Sequence, residues 1–216
     1  MSLELVLMHV LLPSAVAVAA AVGAWRCSRL LGYGRDPRLL KLMWFYGLFS
    51  ASLVPVVIWT AQLAADVGGT LPASSLTLRD VHERFAASER VDLFLLAHHA
   101  LMLTSLAVAV QAFGYKRKQA VAAAAAALAF LSPFVLLALA AEAAMTLFLA
   151  VQAIRNHLDR RSPGALQIAA GFSLFFLGHL SFFLFYHPVA ARNPLGDAAA
   201  LIGVVLLVRL LPRASA

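Results

Sequence analysis

The stretch QAVAAAAAALAFLSPFVLLALAAEAAMTLFLAVQAI, residues 119–154, decides the fold, because it reads either as one very long helix or as two short ones. Charge settles the choice. Basic residues Arg26, Arg29, Arg35, Arg38 and Lys41 define the first loop as cytoplasmic, so the mixed-charge loop 66–90 falls outside. A single helix over 119–154 would then leave Arg155, Arg160 and Arg161 outside as well, whereas two helices return them to the cytoplasm. Ser132-Pro133 supplies the break, with Ser132 as N-cap and Pro133 at the first helical position. The Ala-rich half, 119–132, is about 14 residues or ~21 Å long. That is short for a bilayer, so neighbouring helices must shield it; a six-span chain with a re-entrant Ala segment is the alternative.

Working outward, the composition demands lipid as the main solvent. Of the 216 residues 62% are hydrophobic and 12% charged, with a mean hydropathy of +0.87, against about a quarter charged in soluble domains. Apolar runs about 3–25, 42–65, 91–115, 165–187 and 195–211 join 119–132 and 133–155 as spans. The expectation is an all-α, polytopic membrane helical bundle with seven transmembrane helices, its N-terminus outside and its C-terminus in the cytoplasm. Residues 1–216 form a single transmembrane domain. Loop 66–90 carries Leu78, Val81 and Phe85 at amphipathic helical spacing. The net charge of +7 sits in short loop clusters rather than in a continuous basic stripe, which argues against nucleic acid as a partner. Cys27 is the only cysteine, which excludes an intrachain disulfide and a cysteine-held iron–sulfur cluster.

Aligning the basic turns gives an internal likeness. Residues 25–53, WRCSRLLGYGRDPRLLKLMWFYGLFSASL, run beside residues 151–179, VQAIRNHLDRRSPGALQIAAGFSLFFLGH. Each has an Arg-rich helix end, then Asp-Pro or Ser-Pro, then an aromatic span. With spans one and five running the same way, the pattern is a parallel 3+1+3 repeat.

Ionisable residues inside spans are expensive and therefore informative. His9, His98, His99, Glu142 and His179 fall in spans one, three, five and six, all ~9–13 Å below the outer surface at 1.5 Å per residue. Three uses fit such a layer. Facing imidazoles bind haem b axially, His98 and His179 being the pair, with His99 and His9 as further cofactor candidates. His9, His98, His179 and Glu142 instead hold a transition metal. Or Glu142 couples proton or ion movement with a histidine. On a helical wheel His179 shares its face with Phe172, Phe175, Phe176, Phe183 and Tyr186, while Gly164, Gly171 and Gly178 form a stripe for close helix approach. Each also has a plainer reading: a histidine hydrogen-bonding a neighbouring helix, as His9 and His99 suit, or aromatics that only pack. Trp44, Tyr46 and Trp59 read as interfacial anchors, and Pro55 as a kink.

No nucleotide-binding or hydrolase motif occurs, and lysines stand only at 41, 116 and 118, which excludes a retinal Schiff base in the last span. Four functions remain open: a membrane subunit of a redox or respiratory assembly holding haem b, a small-solute or metal-ion transporter using Glu142 and the histidines, a cofactor-free sensor or scaffold, and a membrane enzyme using a metal bound by histidine and glutamate. Catalysis by the chain alone is not expected. Its partners would be the lipid bilayer and other membrane subunits or further copies of itself. Abundant Ala, Leu and Arg point to a high-GC prokaryote and its plasma membrane.

Overall fold

A computed structural model describes residues 3–34, 36–70, 90–112, 135–185 and 193–211, and among these the chain is entirely helical. The helices are α1 (Leu3–Leu31), α2 (Pro37–Thr70), α3 (Arg90–Ala112), α4 (Val135–Arg160), α5 (Pro163–Leu184) and α6 (Pro194–Arg209). The first five are long and apolar enough to cross a membrane. All six display large apolar side chains outward, among them Leu11, Val18, Ile58, Leu96, Leu147, Leu177 and Ile202. A water-soluble surface does not do this on every helix, so the chain is a multi-pass helical membrane protein with lipid against its flanks. The segment 119–132, the Ser132-Pro133 break and the amphipathic stretch of the 66–90 loop lie outside the described residues.

The turn residues act as the sequence suggests. Asp36 precedes α2 and its Oδ1 accepts the Arg38 N–H at 2.8 Å, with Pro37 opening the helix. Ser162 caps α5 through the Ala165 N–H at 3.2 Å ahead of Pro163. Asn193 caps α6 through the Gly196 N–H at 2.8 Å ahead of Pro194. The turn between α4 and α5 is so tight that Arg161 adopts a φ of 48°, where its N–H reaches the His157 carbonyl at 2.7 Å and closes the end of α4.

The helices pack in a closed ring, each against the next, with α6 returning to α1. Side chains fix the registers. Ser50 Oγ donates to the Ala17 carbonyl (2.9 Å) across α1–α2, and Ser105 Oγ to the Phe45 carbonyl (3.0 Å) across α2–α3. Between α5 and α6 the contact is backbone on backbone. A Cβ on Gly178 would stand 2.8 Å from the Gly196 carbonyl oxygen, and one on Gly203 would stand 2.9 Å from that of Gly171. The two glycine pairs recur at a seven-residue spacing on both helices, so only glycine permits this approach. Arg26, on α1, closes the ring: its guanidinium donates to the Val208 and Leu211 carbonyls, both at 3.0 Å, at the C-terminal end of α6. Carbonyls of a helix's last turn lack their usual partners four residues on; that of Val208 also accepts from the Leu211 N–H at 3.2 Å. Consequently the basic residues Arg26, Arg29, Arg38, Lys41, Arg155, Arg160, Arg161 and Arg209 all collect at one end of the bundle.

Inside the ring Phe45, Phe49, Phe172, Phe175, Leu106 and Leu149 are buried, and the Phe49 and Phe175 rings meet edge-on at 5.1 Å. Two aromatic assignments change. Tyr46 is no interfacial anchor: it is buried against Gly23, whose missing side chain makes room for the ring. Trp59 is likewise buried, whereas Trp44 is exposed.

Candidate functional site: a buried histidine and glutamate layer

Four of the five ionisable residues singled out from sequence come together. His98, His99, Glu142 and His179 each expose 4% of their surface or less, in the half of the bundle remote from the basic end. His9 lies on α1; its side chain is not among those described.

Neighbouring positions on a helix point about 100° apart, so His98 and His99 address different partners. His98 turns to α2, where its Nδ1–H donates to the Ser52 carbonyl at 2.6 Å. Pro55, three residues on, cannot donate to the Ala51 carbonyl, and this loosened turn of α2 is where a side chain enters the carbonyl ladder. His99 turns to α4 and donates from Nδ1 to Glu142 Oε1 at 2.8 Å. Its Nε2 is buried with no hydrogen-bond partner among the described residues. The rings of His98 and His99 lie 4.9 Å apart.

His179 approaches the same carboxylate from α5. Its Nδ1–H donates to the Phe175 carbonyl at 2.9 Å, and Nε2 faces Glu142 Oε2 at 3.7 Å. Phe175 lies nearly parallel to its ring at 6.3 Å and Phe182 stands edge-on at 5.8 Å. The buried aromatic wall is Phe172, Phe175 and Phe182. Phe183, placed on this face by the helical wheel, is 37% exposed on the outer side.

The hydrogen bonds fix the tautomers. A carbonyl only accepts, so the proton of neutral His98 and His179 sits on Nδ1 and the lone pair on Nε2. The Nε2 lone pair of His179 therefore confronts a carboxylate oxygen, an arrangement that becomes favourable when a cation, proton or metal, lies between them. One donor atom each from His98, His99 and Glu142 falls within 4.8 Å of the others, a spacing suited to ligands of one metal ion.

Sequence reading misses one buried acid. Asp197, in the first turn of α6, is 1% exposed. Its position just past Pro194 resembles the polar entry to a span, and only helix packing shows it to be interior.

No family model, curated protein or solved structure matches this chain.

Proposed function

We propose that this chain is a membrane carrier for a first-row divalent transition metal, with Zn²⁺ as the reference ion, held by His98, His99 and Glu142 with His179 beside them. The observation that carries the reading is the convergence of two imidazoles and a carboxylate within 4.8 Å in a fully buried site. Imidazole and carboxylate together suit Zn²⁺ and its neighbours. Anchoring Nδ1 of His98 on a backbone carbonyl is the outer contact that orients a ligating histidine. Ionisable groups in a bundle interior mark ion pathways.

The surrounding architecture is seven spans with the basic end in the cytoplasm, in a prokaryotic plasma membrane. Segregation of the cationic residues at one end supports that orientation. What supports the parallel repeat is the Phe49–Phe175 contact. In the register that lays 25–53 beside 151–179 these two residues are equivalent, and a twofold axis brings equivalent residues face to face.

The haem reading retains one observation, that His98 and His179 both donate Nδ1–H to backbone carbonyls. Against it, Glu142 occupies the space beside His179 where a flat macrocycle would need an open slot.

The deciding experiment is Co²⁺ titration of the purified, chelator-treated protein in detergent. The expected result is one equivalent bound with the visible bands of a low-coordinate nitrogen and oxygen site, displaced by Zn²⁺ and lost in Glu142→Gln. A colourless, metal-free protein would sink the proposal, and a Soret band lost in His179→Ala would replace it with haem.

A further inference from the structure

At the basic end of the bundle α1 and α6 meet along a tight seam. A Cβ on Gly23 of α1 would stand 2.9 Å from Val208 Cγ2 of α6. Three residues on, Arg26 donates from Nη1 to the Val208 carbonyl and from Nη2 to that of Leu211. A guanidinium has more N–H groups than these two bonds use. Beside it on α1, Arg29 lays its guanidinium over the Trp25 ring, 5.5 Å from the centroid. Trp25 is 57% exposed. At about 100° per residue, positions 25 and 29 lie about 100° and 60° around the helix from Arg26, beside the exposed Val18 and Val22 of the lipid face. On α6, Arg209 follows Val208 directly and shares an exposed face with Ile202 and Val205. Three guanidiniums thus border the outer groove of one seam. The acid–base contacts among the described residues, both at Glu142, involve none of them.

We infer that this groove binds the phosphodiester of an anionic phospholipid, with phosphatidylglycerol as the reference lipid. Trp25 lies within about 9 Å of the end of α1 at 1.5 Å per residue, the depth of headgroup and glycerol. A planar guanidinium fork takes phosphate oxygens two at a time, and stacking on Trp25 holds the Arg29 fork in place before the lipid arrives. Basic pockets between helices at the cytoplasmic face suit such headgroups. Phosphatidylcholine offers the same phosphate but brings a choline cation that the three guanidiniums repel. The plainer role of cations at this end is attraction to the diffuse negative potential of the inner leaflet, for which position around the ring is immaterial. The lipid groove and the metal layer lie in opposite halves of the bundle, so either can stand without the other.

The test is quenching of Trp25 fluorescence by brominated lipids, in Trp44→Phe/Trp59→Phe protein reconstituted into phosphatidylcholine vesicles. The vesicles carry brominated phosphatidylglycerol or brominated phosphatidylcholine at the same mole fraction. The expected result is a relative association constant of about fivefold or more in favour of phosphatidylglycerol, the effect of one cation near an anionic surface. Arg29→Gln/Arg209→Gln should bring it to about one. Arg155→Gln/Arg160→Gln removes as many exposed charges from α4, across the ring, and should leave it unchanged. Equal quenching by the two lipids overturns the site, and so does a preference that survives Arg29→Gln/Arg209→Gln. An equal loss in both double variants assigns the attraction to the diffuse field and likewise overturns it. If the protein lacking Trp44 and Trp59 does not fold, the difference in quenching between wild type and Trp25→Phe isolates Trp25, and the same outcomes decide.

Discussion

His99 and Glu142, 43 positions apart, join α3 to α4 through a 2.8 Å hydrogen bond between Nδ1 and Oε1, both side chains buried. On the other side of that carboxylate stands His179, its Nε2 at 3.7 Å. One acid thus holds three helices in register at the centre of the layer, and its replacement separates charge from shape.

Glu142→Gln keeps the volume and the capacity to accept from His99 while removing the negative charge. Zn²⁺ affinity should fall about 100-fold or more, beyond the loss for outer contacts. Binding to the folded state stabilises by about 2.7 kcal/mol at a ligand concentration of 100 Kd. At the same concentration a 100-fold weaker site gains only about 0.4 kcal/mol, so Zn²⁺ should raise the wild-type melting temperature clearly and that of Glu142→Gln very little. An equal rise in both proteins would place the metal elsewhere.

Much of this layer is legible in the sequence because histidine and glutamate are conspicuous within apolar runs, and counting residues from span ends places them at one depth. The pairing is not legible. Rotation of α3 against α4 decides that His99, and not His98, meets Glu142, and rotation is a property of the packed bundle rather than of any local pattern. The glycine stripe of α5 is visible, yet its mates Gly196 and Gly203 escape notice, although the same seven-residue spacing marks them. Tyr46 beside Trp44 resembles an interfacial belt until Gly23 on α1 is seen to open a slot for it.

Gly178→Ala introduces a methyl 2.8 Å from the Gly196 carbonyl oxygen, where only backbone could give way. Overpacking of this kind costs about 1–3 kcal/mol. A Cβ on Gly47, on α2, would meet nothing within 4 Å, so Gly47→Ala should gain up to about 1 kcal/mol from helix propensity. Unfolding in detergent should move the two variants in opposite directions.

Arg26→Ala removes two charged hydrogen bonds to the end of α6 and should cost about 1.5–3 kcal/mol. Arg26→Lys, with a point charge in place of a planar fork, should recover only part of this loss. Full recovery in Arg26→Lys, measured by the same unfolding assay, would show that charge alone matters there.

Span number is checked by labelling from either side of the membrane in a Cys27→Ala background. If 119–132 crosses the bilayer, Arg117→Cys should react with an impermeant thiol reagent from the cytoplasmic side and Ser132→Cys from the outer side. Reaction of both from one side would establish the re-entrant alternative.

The tie between Arg26 and the Val208 and Leu211 carbonyls joins positions 182 and 185 residues apart. Ribosomal synthesis delivers the guanidinium long before its acceptors, so this flank of α1 stays open until α6 has been made. Assembly is therefore a late event in biogenesis, and damage near position 208 should register first as degradation of nascent protein by quality-control proteases.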